Sequence, residues 1–123
     1  MIRKVEEWLN GLDTSQVVLW MVVVAVVTEI ITCIGRFGIG FQSTRDTTFI
    51  GYLTFGIRIH HGYIGLVLLL IAAIRPDPIA WRNLTIIIGG SLVISDLAHH
   101  FLVLWPITGS PEFHFVYPSP TDD

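Results

Sequence analysis

Three apolar runs decide what this chain can fold into. Val17 to Ile34 reads VVLWMVVVAVVTEIITCI, a second run extends from about Leu53 to Ile74, and a third from Leu84 to Trp105. Each is close to the ~20 residues that carry an α-helix across ~30 Å of hydrocarbon. Helices that are apolar around their whole circumference have no face to offer water. In a chain of 123 residues, 52% hydrophobic and 14% charged, too little polar surface remains to cover them. The expectation is an all-α membrane protein built as one integral domain over 1–123, with transmembrane helices over about 16–35, 53–74 and 83–105 and an outer tail over 106–123.

Arg3 and Lys4 precede the first run as they would in a signal sequence, but the run starts late, contains Glu29 and is followed by no small-residue cleavage pattern. It is expected to stay as a membrane helix. Ahead of it, Ile2, Val5, Trp8, Leu9 and Leu12 recur at helical spacing against Arg3, Lys4, Glu6, Glu7 and Asn10, the pattern of a short amphipathic helix over about 2–12 at the membrane interface. Turn chemistry separates the long segments. Gly35, Gly38 and Gly40 close the first and lead into QSTRDTT, Gln42 to Thr48; RPDP, Arg75 to Pro78, links the second to the third; Pro106 is expected to stop the third.

Arg3, Lys4, Arg75 and Arg82 fall on one side of such a bundle and Arg36, Arg45 and Arg58 on the other, with Arg58 inside a helix mouth. That bias predicts a multi-pass plasma-membrane protein with a cytoplasmic amino terminus and an external carboxyl terminus. The single cysteine, Cys33, excludes an intramolecular disulfide, and a net charge of -3 without a basic stripe implies no nucleic-acid partner.

An odd number of crossings brings the end of the first helix, the start of the second and the end of the third to one membrane face. Glu29 lies six residues before Gly35, His100 six before Pro106, and His60 seven after Leu53, so their depths agree. All five histidines (His60, His61, His99, His100 and His114 in the tail) therefore gather at one face with Glu29, Asp96 and Glu112. Within SDLAHH, Ser95 to His100, Asp96, His99 and His100 stand at i, i+3 and i+4 on one helical face. On a continuous second helix His60 and His61 point ~100° apart, and Gly62 and Gly65 let a neighbouring helix come close.

A lone intramembrane histidine or glutamate is ordinarily a hydrogen-bonded structural group. Several together are costly to bury unpaired, and one bound cation satisfies them all. A mixed imidazole and carboxylate set suits zinc, iron or manganese; without a thiolate pair or a methionine cluster it does not suit copper(I). The candidate ligands are His60, His61, Asp96, His99, His100, Glu29 and His114, with Glu29 and Asp96 also the candidates for acid–base work. Cys33, one turn after Glu29, is an additional ligand candidate whose ordinary role is that of a small buried apolar residue. Arg45 and Arg58, with Arg36, are candidates to hold an anionic head group or substrate, against the ordinary alternative of snorkelling to the lipid phosphates. The tail GSPEFHFVYPSP, Gly109 to Pro120, alternates aromatic with polar residues and is read either as a lid presenting Glu112 and His114 or as an interfacial aromatic belt.

Asp96-x-x-His99-His100 and the His60-His61 pair resemble pieces of the histidine boxes of membrane-bound desaturases and hydroxylases and, less closely, the His and Asp sets of membrane metallohydrolases. The resemblance covers only these two short segments, lacks the H-x-x-x-H element of a first helix, and brings no site list with it.

Three functional classes follow. The first is a metal-dependent hydrolase or oxidoreductase acting on a lipid or other amphipathic substrate that enters from the bilayer. The second is a haem b electron-transfer subunit, which needs only two facing histidines. The third is a non-catalytic small subunit of a larger membrane complex. Three helices bury little surface against one another, so a homo-oligomer or hetero-complex is expected in every class.

Overall fold

The computed structural model describes residues 1–40 and 60–110, which form four helices and no strand. Helix α1 is Ile2–Asn10; α2 is Thr14–Cys33, continued by a π-helical turn at Ile34–Gly38; α3 is His61–Ile74; and α4 is Ile79–Leu97, continued by a π-helical stretch at Ala98–Leu104 and a last turn at Trp105–Thr108. Thr14–Gly38, with 25 residues, and Ile79–Thr108, with 30, are each long and apolar enough to cross a membrane. The chain is all-helical over the described residues, and its outward faces carry Val18, Leu19, Val26, Val27, Ile30 and Ile31 exposed on α2.

Helix α2 starts where local chemistry allows it. Asp13 is extended, its carboxylate accepts the Gln16 N–H at 2.9 Å, and the Gln16 side chain accepts the Asp13 N–H at 3.0 Å. This reciprocal cap satisfies two of the amide donors that a helix start leaves open. Asp13→Ala is expected to lower stability by ~1 kcal/mol without changing the distant site, a result to be read from thermal unfolding in detergent.

Helix α4 is the hub, packing on α1, α2 and α3. Its contact with α3 depends on small residues: Gly62 and Gly65 on α3 and Gly89, Gly90, Ser91 and Ser95 on α4 are all buried. Gly65 lies against the Gly89 carbonyl, and a side chain at Gly89 would meet the Gly65 carbonyl at 2.9 Å and Leu68 at 3.1 Å. On the other side of α4, Gly90 accommodates the Met21 thioether from α2. Where lipid removes the hydrophobic difference between inside and outside, close backbone approach of this kind is what holds helices together.

The apolar stripe of α1 is partly committed to α4 rather than lying wholly on a surface. Leu9 is buried with Val17, Ala80 and Ile87, the Leu9 carbonyl accepts a hydrogen bond from Asn83 Nδ2 at 2.9 Å, and Trp8 meets Trp20 edge-on at 5.3 Å. Two boundaries differ from the sequence expectation. The helix expected over about 53–74 is broken at His60, which is extended (φ −88°, ψ 143°) ahead of a helix starting at His61; its expected start near 53 lies outside the described residues, which omit 41–59. Helix α4 continues past Pro106 and ends at Gly109, whose φ of 78° is left-handed. Pro106 falls just where the wide turns return to ordinary helix, a position like a helix start, where a missing N–H costs little.

Candidate metal centre

The polar residues of the bundle collect where the start of α3 meets the wide turn of α4. Because His60 precedes the helix, its imidazole turns inward and is 4% exposed, while His61, the first helical residue, stands half-buried at the rim. Gly62 follows for a specific reason: a Cβ there would lie 2.7 Å from Asp96 Oδ2, so the absent side chain is the space that the carboxylate occupies. The π-helical stretch that holds His99 and His100 is a rare helical form that recurs at functional sites.

Two adjacent groups result. In the first, Asp96 Oδ1 is faced by His61 Nδ1 at 3.2 Å, His60 Nδ1 at 3.7 Å and His100 Nε2 at 3.7 Å. His60, Asp96 and His100 are all buried, and each offers a donor atom within 4.8 Å of the others. The His60 and His100 rings meet edge-on at 4.9 Å. Asp96 Oδ1 is enclosed yet accepts no hydrogen bond, and His61 Nε2 is likewise buried without one.

In the second group, Glu29 Oε1 accepts the His99 imidazole at 2.8 Å and the Cys33 thiol at 3.3 Å, while Ser95 Oγ donates to Oε2 at 3.5 Å. Glu29 and Cys33 belong to α2 and Ser95 and His99 to α4, so this group ties the two long helices. The His99 and His100 rings are 5.6 Å apart, which makes the two groups neighbours.

The structure thus brings together His60, His61, Asp96, His99, His100 and Glu29. The positions of His114, Glu112, Arg45 and Arg58 lie outside the described residues. Two geometric expectations are corrected. Asp96, His99 and His100 do not turn to one partner: His99 faces Glu29 on α2, whereas Asp96 and His100 face α3. Consecutive residues diverge by ~100° around a helix, so His99 and His100 fan out to opposite neighbours. His60 and His61 are not spread around a helix either, since His60 lies ahead of it, and both reach the same carboxylate. Ser95 was not singled out by the sequence reading, although it stands one turn before His99 in the same SDLAHH segment. No family model, no curated protein and no solved structure matches this chain.

Proposed function

We propose that the protein is a small integral membrane metalloprotein that holds a divalent zinc, iron or manganese ion between α3 and α4 at His60, His61, His100 and Asp96. One observation carries this reading: three imidazole nitrogens surround a buried carboxylate oxygen at 3.2 to 3.7 Å, and that oxygen accepts no hydrogen bond. Hydrogen bonds of this type close to ~2.7–3.2 Å. Donor atoms on a tetrahedral ion with bonds of ~2.0–2.2 Å stand ~3.3–3.6 Å from one another, close to the distances that separate the Asp96 oxygen from the three nitrogens. A small ion also suits the edge-on contact of the His60 and His100 rings at 4.9 Å better than a porphyrin plane between them would.

The two apolar helices support the membrane setting, and the apolar run ahead of Ile74 supplies the third crossing in this reading. The amino terminus is then cytoplasmic and the metal lies near the outer face. The ion would activate water or oxygen against a lipid-like substrate arriving through the bilayer.

Elemental analysis and an absorption spectrum of the detergent-purified chain test the proposal. Stoichiometric zinc, iron or manganese without a Soret band is expected, and Arg75→Ala, at the far end of α3, is expected to leave that content unchanged. A Soret band, or no bound metal after exposure to all three ions, overturns it.

A further inference from the structure

The geometry points to a second metal site, made by Glu29, Cys33 and His99 between α2 and α4, chemically distinct from the one proposed between α3 and α4. Here two helices aim three different donors at one place. Sγ of Cys33 and Nδ1 of His99 both converge on Glu29 Oε1, at 3.3 Å and 2.8 Å, and all three donor atoms lie within 4.8 Å of one another. Hydrogens of the thiol and the imidazole now fill the point of convergence, and a cation entering there replaces both.

The protons balance simply. Cys33 gives its proton to solvent and binds as thiolate. His99 binds as neutral imidazole, its proton moving from Nδ1 to Nε2 so that Nδ1 becomes a ligand, and Glu29 binds as carboxylate. One proton leaves per ion bound. Thiolate and carboxylate together cancel the charge of a divalent cation, leaving a neutral centre, which is the arrangement least penalised within a membrane. The α3–α4 site, with a single carboxylate among neutral imidazoles, has no such cancellation.

Three protein ligands of sulfur, nitrogen and oxygen type leave one tetrahedral position open, the pattern by which zinc sites bind and activate water. Cys33 and Glu29 are only half-buried, so the site is open to an entering ion. Ser95, donating to the other oxygen of Glu29, orients the carboxylate from behind. Because His99 and His100 are consecutive, a shift of the wide turn of α4 moves one ligand of each site together.

Cobalt(II) titration of the metal-free full-length protein in detergent separates the two sites, since only the α2–α4 site has a sulfur ligand. The wild type is expected to bind a pair of cobalt ions and to develop a near-ultraviolet sulfur-to-cobalt charge-transfer band. Cys33→Ser is expected to lose that band and one equivalent of cobalt, whereas His100→Ala loses an equivalent and retains the band. Independently of any variant, zinc(II) is expected to slow maleimide alkylation of Cys33 at least tenfold, and His99→Ala to abolish the protection. Cobalt binding without the charge-transfer band, together with unprotected Cys33, overturns the second site and leaves the first standing. A wild type that binds a single equivalent with the full band overturns the first site and upholds the second, and a protein that binds none overturns both.

Discussion

Asp96→Ala is expected to empty the α3–α4 site and to cause the largest stability loss of any single substitution in it. Asp96 is 3% exposed and, among the described residues, is the one acidic group that faces His60, His61 and His100 together. Its removal takes away the only anionic ligand and leaves three imidazoles turned toward a void. Loss of a buried charged partner costs ~3–5 kcal/mol, and even a supporting residue behind a metal ligand is worth ~10–100-fold in affinity. A direct ligand is expected to exceed that range. Asp96→Asn preserves the volume beside Gly62 while removing the charge, so it is expected to fold and still to lose the metal. Melting temperatures with and without a chelator, taken in a Cys33→Ser background that lacks the α2–α4 site, check this: the two should differ when Asp96 is present and coincide for both Asp96 variants. An Asp96 variant that binds as many equivalents as its parent shows that Asp96 is not a ligand.

Gly65→Ala is expected to disturb the same site without touching a ligand. The added Cβ meets the Gly89 carbonyl, Val93 at 2.9 Å and Leu92 at 3.0 Å. None of these is the far end of a flexible side chain, so α3 and α4 must separate. Overpacking of this kind costs ~1–3 kcal/mol. Since His60 and His61 sit at the end of α3 and Asp96 and His100 on α4, the separation stretches the donor set, and metal affinity should fall with stability. Gly35→Ala is the contrast. Nothing lies within 4 Å of the Cβ it would add, and alanine is favoured over glycine in a helix by ~1 kcal/mol, so that variant is expected to be neutral or slightly more stable. Thermal unfolding and metal content of the two variants, measured side by side, decide whether helix contact or helix propensity governs the site. Equal behaviour would rule out the close-contact account.

The composition of the chain carried most of the helix assignment. Continuous apolar runs announce long helices whatever their partners, and RPDP marks the link between α3 and α4 because proline and its preceding residue both resist helix. The meeting of Glu29 with His99 was legible from counting residues back from turn signals. The division of labour between His99 and His100 was not, because residue spacing does not say which neighbour packs on each side of α4. The break at His60 was equally hidden, since nothing in the composition around His60 and His61 marks a helix boundary. Proline at 106 was misleading in the other direction: its missing N–H breaks an ordinary helix, but not one whose bonding register is already changing there. Gly62 and Gly65 indicated close helix approach, yet only the fold shows that the first makes room for a carboxylate and the second for a backbone.

Among the described helices, the one that contacts the other three is made after them. In the proposed bilayer setting, α2 enters the membrane carrying Glu29 before Ser95 and His99 have been synthesised, and α3 follows with its histidine pair before Asp96 exists. Until α4 arrives, each earlier segment carries a polar group whose partner is still to be translated. Biosynthesis therefore has a vulnerable interval, and a nascent chain halted near the link at Arg75 to Pro78 would present quality-control proteases with an unmatched intramembrane carboxylate.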